Sequence, residues 1–203
     1  VASLVGSEMC IRDSPKVASK FTKSILDNSE RLSEMIDDLL ELEKIEFGGL
    51  VIKKEKIIPH KEINKILSTI EALLVEKKLV VENDINEDLI LRTDKESFRS
   101  IFSNLLNNAI KYSPTGSKIV FNAAKKQKSI VISIKDNGYG IEKNSIKRVF
   151  ERFYRSSKAR AHTKGTGLGL ALVKQLSSRI GANVKVESQI NVGSEFFVSF
   201  QDK

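Results

Sequence analysis

One helical stripe carries residues that could hold a cation bound to phosphate. Between Lys95 and Tyr112, the residues Phe98, Ile101, Phe102, Leu105, Leu106, Ala109 and Ile110 recur at i, i+3, i+4 spacing and define an apolar face. At about 100° per residue, Ser100, Asn104, Asn108 and Lys111 fall together on the opposite face. A merely solvated face would cost less as Glu, Gln or Lys, because the short Asn amide competes for backbone hydrogen bonds inside a helix. Asn offers a neutral carbonyl oxygen suited to a hard cation, and Lys a point charge suited to phosphate. A plain solvated face stays open as the alternative.

A second chemical signal is Asp136. Ile130, Ile132 and Ile134 alternate onto one face of a strand, and Asp136 falls in phase with them. A carboxylate aimed at the buried side is expensive unless it finds donors. It could accept from an exocyclic amine in an apolar pocket, with Gly138 and Gly140 letting the backbone approach a ring. The other reading is a turn-forming Asp in Asp136-Asn137-Gly138.

The third is Gly165-Thr166-Gly167-Leu168-Gly169-Leu170, which opens an amphipathic helix burying Leu172, Val173, Leu176 and Ile180. Glycines at a helix start expose amides at the positive end of the dipole, an anion site. No strand leads into the run as in a Rossmann unit, and the Lys-Ser/Thr ending of a P-loop is absent. The preceding Ser156–Lys164 is polar and basic, a composition suited to a mobile lid over phosphates.

These residues need a scaffold, and the rest of the chain supplies one. Lys16–Ile45 reads as a helix with an a/d stripe through Ile25, Leu32 and Leu39 and a second seam at Met35 and Leu42. Ile36 flanks the seams, Asn28 lies at a d-type position, and Gly48-Gly49 ends the helix. Such a seam requires a partner helix. Val51–Ile58 reads as a strand, Pro59 opens a helix to about Lys77, and Leu79–Ile85 and Leu89–Arg92 read as short strands. Strands Lys118–Ala124 and Ser129–Asp136, a helix over Thr166–Ile180 and two closing strands complete the chain. This mixture predicts an α/β (α+β) two-layer sandwich, a mixed sheet with helices on one face, preceded by one long helix.

Composition sets the outer limits. Of the 203 residues, 40% are hydrophobic and 30% charged, ordinary for a folded protein, and no apolar run approaches the roughly 20 residues of a membrane span. The net charge of +8 is spread over clusters at Lys53–Lys56, Lys125–Lys128 and Arg152–Lys164 without the interleaved aromatics of a single-strand binder, so no direct nucleic-acid contact is expected. The first two clusters read as solvated surface. The single Cys10 excludes a disulfide framework and suits a reducing compartment. Leu4–Ser14 fits no pattern and resembles translated adapter sequence, so residues 1–14 are set aside as a non-native N-terminus.

The order of the signals is more specific than any one of them. Asn104-Leu-Leu-Asn-Asn-Ala-Ile-Lys-Tyr112, Asp136-Asn-Gly-Tyr-Gly140, Phe150-Glu-Arg-Phe-Tyr-Arg155 and Gly165-Thr-Gly-Leu-Gly-Leu170 resemble the N, G1, F and G2 boxes of the histidine kinase ATP-binding domain, of the Bergerat ATPase superfamily. The resemblance covers residues 50–203, and the wording of Phe150–Arg155 points to bacterial sensor histidine kinases.

The resemblance implies ATP and Mg²⁺ as ligands. Asn108 matches the metal-ligating Asn, Asn104 a residue on the phosphate side, Lys111 a phosphate contact and Tyr112 an aromatic beside the nucleotide. Asp136 matches the acceptor for the adenine amino group, with Gly138 and Gly140 shaping its pocket, and Arg155 a cation reaching the γ-phosphate. Gly165, Thr166, Gly167, Leu168 and Gly169 match the lid hinge and triphosphate lining; Asn108, Lys111 and Arg155 would be the catalytic set. Gly193-Ser194 resembles the last glycine box, Asn191 stands where another Gly is frequent, and Ser100 stands where many members have Gln or Glu.

Residues 15–47 resemble the second helix of the family's dimerisation bundle, implying a homodimer through that helix. A response-regulator receiver domain is the implied partner, and a cytoplasmic site is implied, at the membrane face if the intact protein is anchored. The acceptor run, His-Glu-Leu-Arg-Thr-Pro-like, is absent; His60 and His162 lack its neighbours and read as surface histidines. The acceptor is therefore expected from other residues or another chain. A Bergerat-type ATPase transferring phosphate to water, and a non-catalytic nucleotide-binding or dimerisation module, are the alternatives.

Overall fold

The computed structural model describes residues 15–47, 49, 51–156 and 165–201. The expectations for Leu4–Ser14 with Cys10, for Gly48, for His162 and for most of the lid segment Ser156–Lys164 lie outside the described residues.

The long helix is α1, Pro15–Glu46. Among its described residues the C-terminal end is packed, through the nearly fully buried Leu42 and Ile45, while Ile25 and Leu32 of the heptad stripe and the flanking Ile36 are more than half exposed. An apolar stripe left in water by a single chain marks an interaction face.

Strand β1, Lys54–Ile57, pairs antiparallel with β3, Leu91–Asp94, as a two-stranded ribbon. Between them the single helix expected to run to Lys77 divides into α2, Pro59–Thr69, and α3, Glu71–Glu76. The cause is local. Ser68 Oγ donates to the Lys65 carbonyl at 2.8 Å and Thr69 Oγ1 to the Ile66 carbonyl at 2.7 Å, competing with the helical ladder, and Ile70 leaves helical geometry at φ −121°, ψ 12°. Strand β2 is Val80–Asn83.

Helix α4, Lys95–Tyr112, begins at an N-cap where Asp94 accepts from the Ser97 amide at 2.8 Å. All seven residues of the expected apolar face are buried. They pack onto a five-stranded sheet formed by β2, β4 (Lys118–Lys126), β5 (Ser129–Asp136), β6 (Ala182–Gln189) and β7 (Gly193–Gln201). The strand order is β2-β4-β5-β7-β6; β2 runs parallel to β4 and the other pairs are antiparallel. Helix α5, Lys143–Ile146, is one turn, and α6, Gly169–Ile180, lies beside α4 on the same face of the sheet.

The core between the layers joins Phe98, Phe102, Phe121, Ile132, Val198 and Phe200, with the Phe98 and Phe102 rings 4.6 Å apart. Each such side chain contributes about 1.5–3 kcal/mol when fully buried. That rigid interior fixes the C-terminal half of α4 against the ends of β5 and β7, where the chemistry-bearing residues meet.

Candidate functional site

Asp136 ends β5 opposite Ser194 of β7. The carboxylate is 5% exposed. Oδ1 accepts from the Gly138 amide at 2.8 Å and from the Ser194 amide at 3.2 Å. Desolvation raises its pKa above the ordinary aspartate value, against the lowering effect of these two donors. Both bonds fall on Oδ1, which leaves Oδ2 as the acceptor available to the cleft. The two readings of this residue are therefore compatible: the Asp136-Asn137-Gly138 turn forms, and it orients the carboxylate. A Cβ on Gly138 would stand 2.5 Å from the Tyr112 carbonyl oxygen and 2.7 Å from Asp136 Oδ1. Gly140, at φ +67°, presses its backbone against the Gln189 carbonyl.

A cleft of about 570 Å³ opens between this carboxylate and α4. Asn104, Asn108, Lys111 and Tyr112 line one wall, Asp136, Gly140 and Ser194 another, and Arg155, Gly165, Thr166, Gly167 and Gly169 the rim. Asn104 Nδ2 donates to the Ser100 carbonyl at 2.9 Å, one turn back along α4. A Cβ on Gly169 would lie 2.8 Å from Asn104 Oδ1, so only glycine lets the start of α6 approach the Asn stripe this closely. Asn108 lines the cleft, and its side-chain amide makes no hydrogen bond to the described residues. Lys111 Nζ reaches to the backbone of Gly165.

The aromatic-basic segment and the glycine run hold one another. Phe153, at φ +60°, donates its amide to the Gly167 carbonyl at 3.0 Å, and Arg155 Nη1 donates to the Gly165 carbonyl at 3.2 Å. Tyr154 is anchored by its hydroxyl on Ser145 Oγ at 3.0 Å and by the Arg148 guanidinium 4.3 Å over its ring.

Three expectations change in detail. Ser100 shares the α4 stripe but turns to α1, donating to Glu41 Oε1 at 3.1 Å, and it does not line the cleft. Leu168 is buried in the core before α6, whose first residue is Gly169 rather than Thr166. Gly138 stands behind the carboxylate and shapes it from there.

Sequence reasoning missed Asp38 as a cleft residue, and it gave no site role to Tyr139, Tyr154 and Ser194, which lie within the quoted motifs and also line the cleft. Asp38 is the least expected, because it comes from α1. Its Oδ2 accepts from Thr166 Oγ1 at 3.0 Å, and its pKa is raised by desolvation, opposed by the Thr166 bond and reinforced by Asp37. Glu41 is likewise raised by desolvation, against its bond to Ser100. No local signal marks either residue. Among the described residues no group of three His, Cys, Asp or Glu side chains could hold a metal ion.

Comparison with known proteins converges on one group. Residues 93–203 match the family described as histidine kinase-, DNA gyrase B-, and HSP90-like ATPase. The sensor-like histidine kinase SenX3 of Mycolicibacterium smegmatis is 30% identical over 191 residues, 94% of this chain and 50% of that protein. The chain spans half or less of the length of the first curated relatives it matches. Among solved structures, the Acinetobacter baumannii histidine kinase AdeS superposes with a TM-score of 0.75 at 25% identity, covering 98% of this chain and 93% of that one. Full-length ShkA in complex with AMPPNP shares the fold at a TM-score of 0.76 and 20% identity, over 92% of this chain and 39% of that one.

Proposed function

We propose a specific reaction for this chain, which belongs to the histidine kinase-, DNA gyrase B-, and HSP90-like ATPase family: it binds Mg-ATP in the cleft and transfers the γ-phosphoryl group to a histidine. The observation that carries this reading is the placement of Asn104, Asn108 and Lys111 on one wall and the buried Asp136 carboxylate on another, across a single cleft. The family relationship and the sensor histidine kinase relatives support the acceptor class.

In this reading Asp136 accepts from the adenine amino group through Oδ2, with Tyr112 and the Gly140 backbone beside the ring. Asn104, Lys111, Arg155 and the glycine segment from Gly165 to Gly169 position the phosphates. Leu168 takes part through its backbone, since its side chain is core. A Mg²⁺ ion keeps several waters and takes few protein oxygens besides phosphate, so the single carbonyl oxygen of Asn108 suits it better than an acidic cage would. When bound, the ion offsets charge on the phosphates. The chain's own contribution is alignment and charge: Lys111 and Arg155 meet the negative oxygens while a histidine nitrogen forms a P–N bond and the bond from phosphorus to the ADP oxygen breaks. A homodimer through the exposed α1 stripe and a response-regulator receiver domain as recipient of the phosphoryl group complete the proposal, with a cytoplasmic location. No described helix is long and apolar enough to cross a membrane.

The test is nucleotide binding by calorimetry with and without Mg²⁺. Wild type is expected to bind Mg-ATP, Asp136→Ala to lose ATP altogether, and Asn108→Ala to lose the Mg²⁺ dependence. Normal binding by both folded variants would overturn the site.

A further inference from the structure

A second cavity, of about 310 Å³, lies at the other end of α6 from the cleft. Gly169 and Leu170 at the start of that helix line the nucleotide cleft, whereas Ile180 and Gly181 at its end line this cavity. The two are roughly 17 Å apart along the helix, at about 1.5 Å per residue. The remaining walls are Lys54 and the Arg92-Thr93 pair of the β1–β3 ribbon and the Phe200-Gln201 end of β7.

We propose that this cavity is a binding site for a small oxyanion, a phosphate or carboxylate group, held by Lys54 and Arg92. Register places Lys54 opposite Asp94 and Lys56 opposite Arg92, so Lys54, Lys56 and Arg92 project from the same face of the ribbon. The one carboxylate on that face, Asp94, is occupied as the α4 N-cap, accepting from the Ser97 and Lys53 amides at 2.8 Å each. Among the described residues no carboxylate lies within ion-pair distance of Lys54 or Arg92, although Glu62, Glu82 and Glu151 pair with other cations of the chain. Thr93 lies between Arg92 and Asp94 on the strand, opposite Glu55, so its side chain turns to the other, buried face of the ribbon and is not part of the anion set. Two cations without a carboxylate partner and a concave floor closed by Phe200 form an acceptor-seeking set. The carbonyl end of α6 at Gly181 works against an anion, which keeps the site weak and makes both cations necessary.

The two sources of such a group are distinguished by probe. The labelled full chain is titrated with inorganic phosphate and, separately, with acetate, each at ionic strength held constant with chloride, while amide NMR shifts are followed. Saturating shifts at residues 54, 92, 93, 181 and 201 are expected at millimolar probe. They should weaken at least about fivefold, a loss of roughly 1 kcal/mol, in Lys54→Gln and in Arg92→Gln, and persist in Lys128→Gln. Saturation by phosphate alone assigns a phosphate group; saturation by both probes extends the class to acidic side chains of a partner. Shifts that stay linear, match those in chloride, or survive both substitutions overturn the proposal. The dispersion of each variant's spectrum shows whether it is folded.

Discussion

Thr166 Oγ1 donates to Asp38 Oδ2 at 3.0 Å, and this bond joins the glycine segment at the rim of the cleft to the long N-terminal helix. With the Ser100–Glu41 bond and the Arg152–Glu46 ion pair, it ties one acidic edge of α1, Asp38 to Glu46, to the glycine segment, to α4 and to the aromatic-basic segment around the cleft.

That edge brings negative charge to the end of the cleft assigned to the triphosphate. Asp38→Ala is therefore expected to tighten Mg-ATP binding by about two- to fivefold, the size of a part-exposed charge interaction of about 0.5–1 kcal/mol. Calorimetry at low and high salt checks it; unchanged or weaker affinity at low salt counts against the assignment. Desolvation holds the Asp38 and Glu41 pKa values above the ordinary carboxylate range. Their contribution to stability is thus full below that range and is lost as pH rises through the raised values. Docking of α1 should weaken over that window, and Asp38→Asn should flatten the dependence.

Asp136→Asn should act in opposite directions on stability and on binding. The raised pKa means that ionised Asp136 costs the nucleotide-free protein stability once pH rises through the folded value. The neutral amide removes that cost and keeps an oxygen for the Gly138 and Ser194 donors, so the melting temperature at pH 7 should not fall. Its NH₂ group then meets the adenine amine donor to donor, and ATP affinity should drop by roughly 10–100-fold, as for losing a hydrogen bond to a charged acceptor. In wild type, affinity should decline as acidification approaches the raised value.

Gly138→Ala tests the carboxylate's support. The added methyl meets the Tyr112 carbonyl oxygen at 2.5 Å and Asp136 Oδ1 at 2.7 Å, both held in place. A loss of about 1–3 kcal/mol is expected, or roughly 2–12 °C in melting temperature for a chain of this length. Gly138 lies outside the left-handed region, so the cost there is steric and carries no left-handed backbone penalty. An unchanged melting temperature would remove the steric account.

Glu62 provides a control far from the nucleotide. It is 6% exposed; burial pushes its pKa up, but hydrogen bonds and charge from Lys65 and Arg99 outweigh this and hold it below the ordinary glutamate range. Its contribution is therefore present above that range and lost as pH falls through the lowered value. Arg99→Ala should cost about 1.5–3 kcal/mol at pH 7, the size of a hydrogen bond to a charged group, since it leaves the carboxylate to Lys65 alone, and the difference from wild type in urea unfolding should shrink at acid pH.

The parts legible in the sequence are those written in local periodicity or in residue choice. The α4 helix spans Lys95–Tyr112 in both readings because seven apolar residues at helical spacing admit one buried face. The phase of Asp136 with Ile130, Ile132 and Ile134 foretold its burial, since side chains alternate strictly along a strand. The break at Ile70 was hidden because Ser68 and Thr69 are tolerated in helices until their hydroxyls take the carbonyls of the preceding turn.

What the sequence alone determined is thus the set of elements and the chemistry each carries: an Asn-Lys stripe, a buried carboxylate and a glycine-rich helix start. Tertiary structure alone decided which of these meet, and what else joins them. The Ser194 amide reaches Asp136 across 58 residues, and Asp38 reaches Thr166 across 128. No period within either segment encodes those encounters. They follow from sheet order and from which face of α1 packs on α6, which the burial of many apolar side chains at once selects.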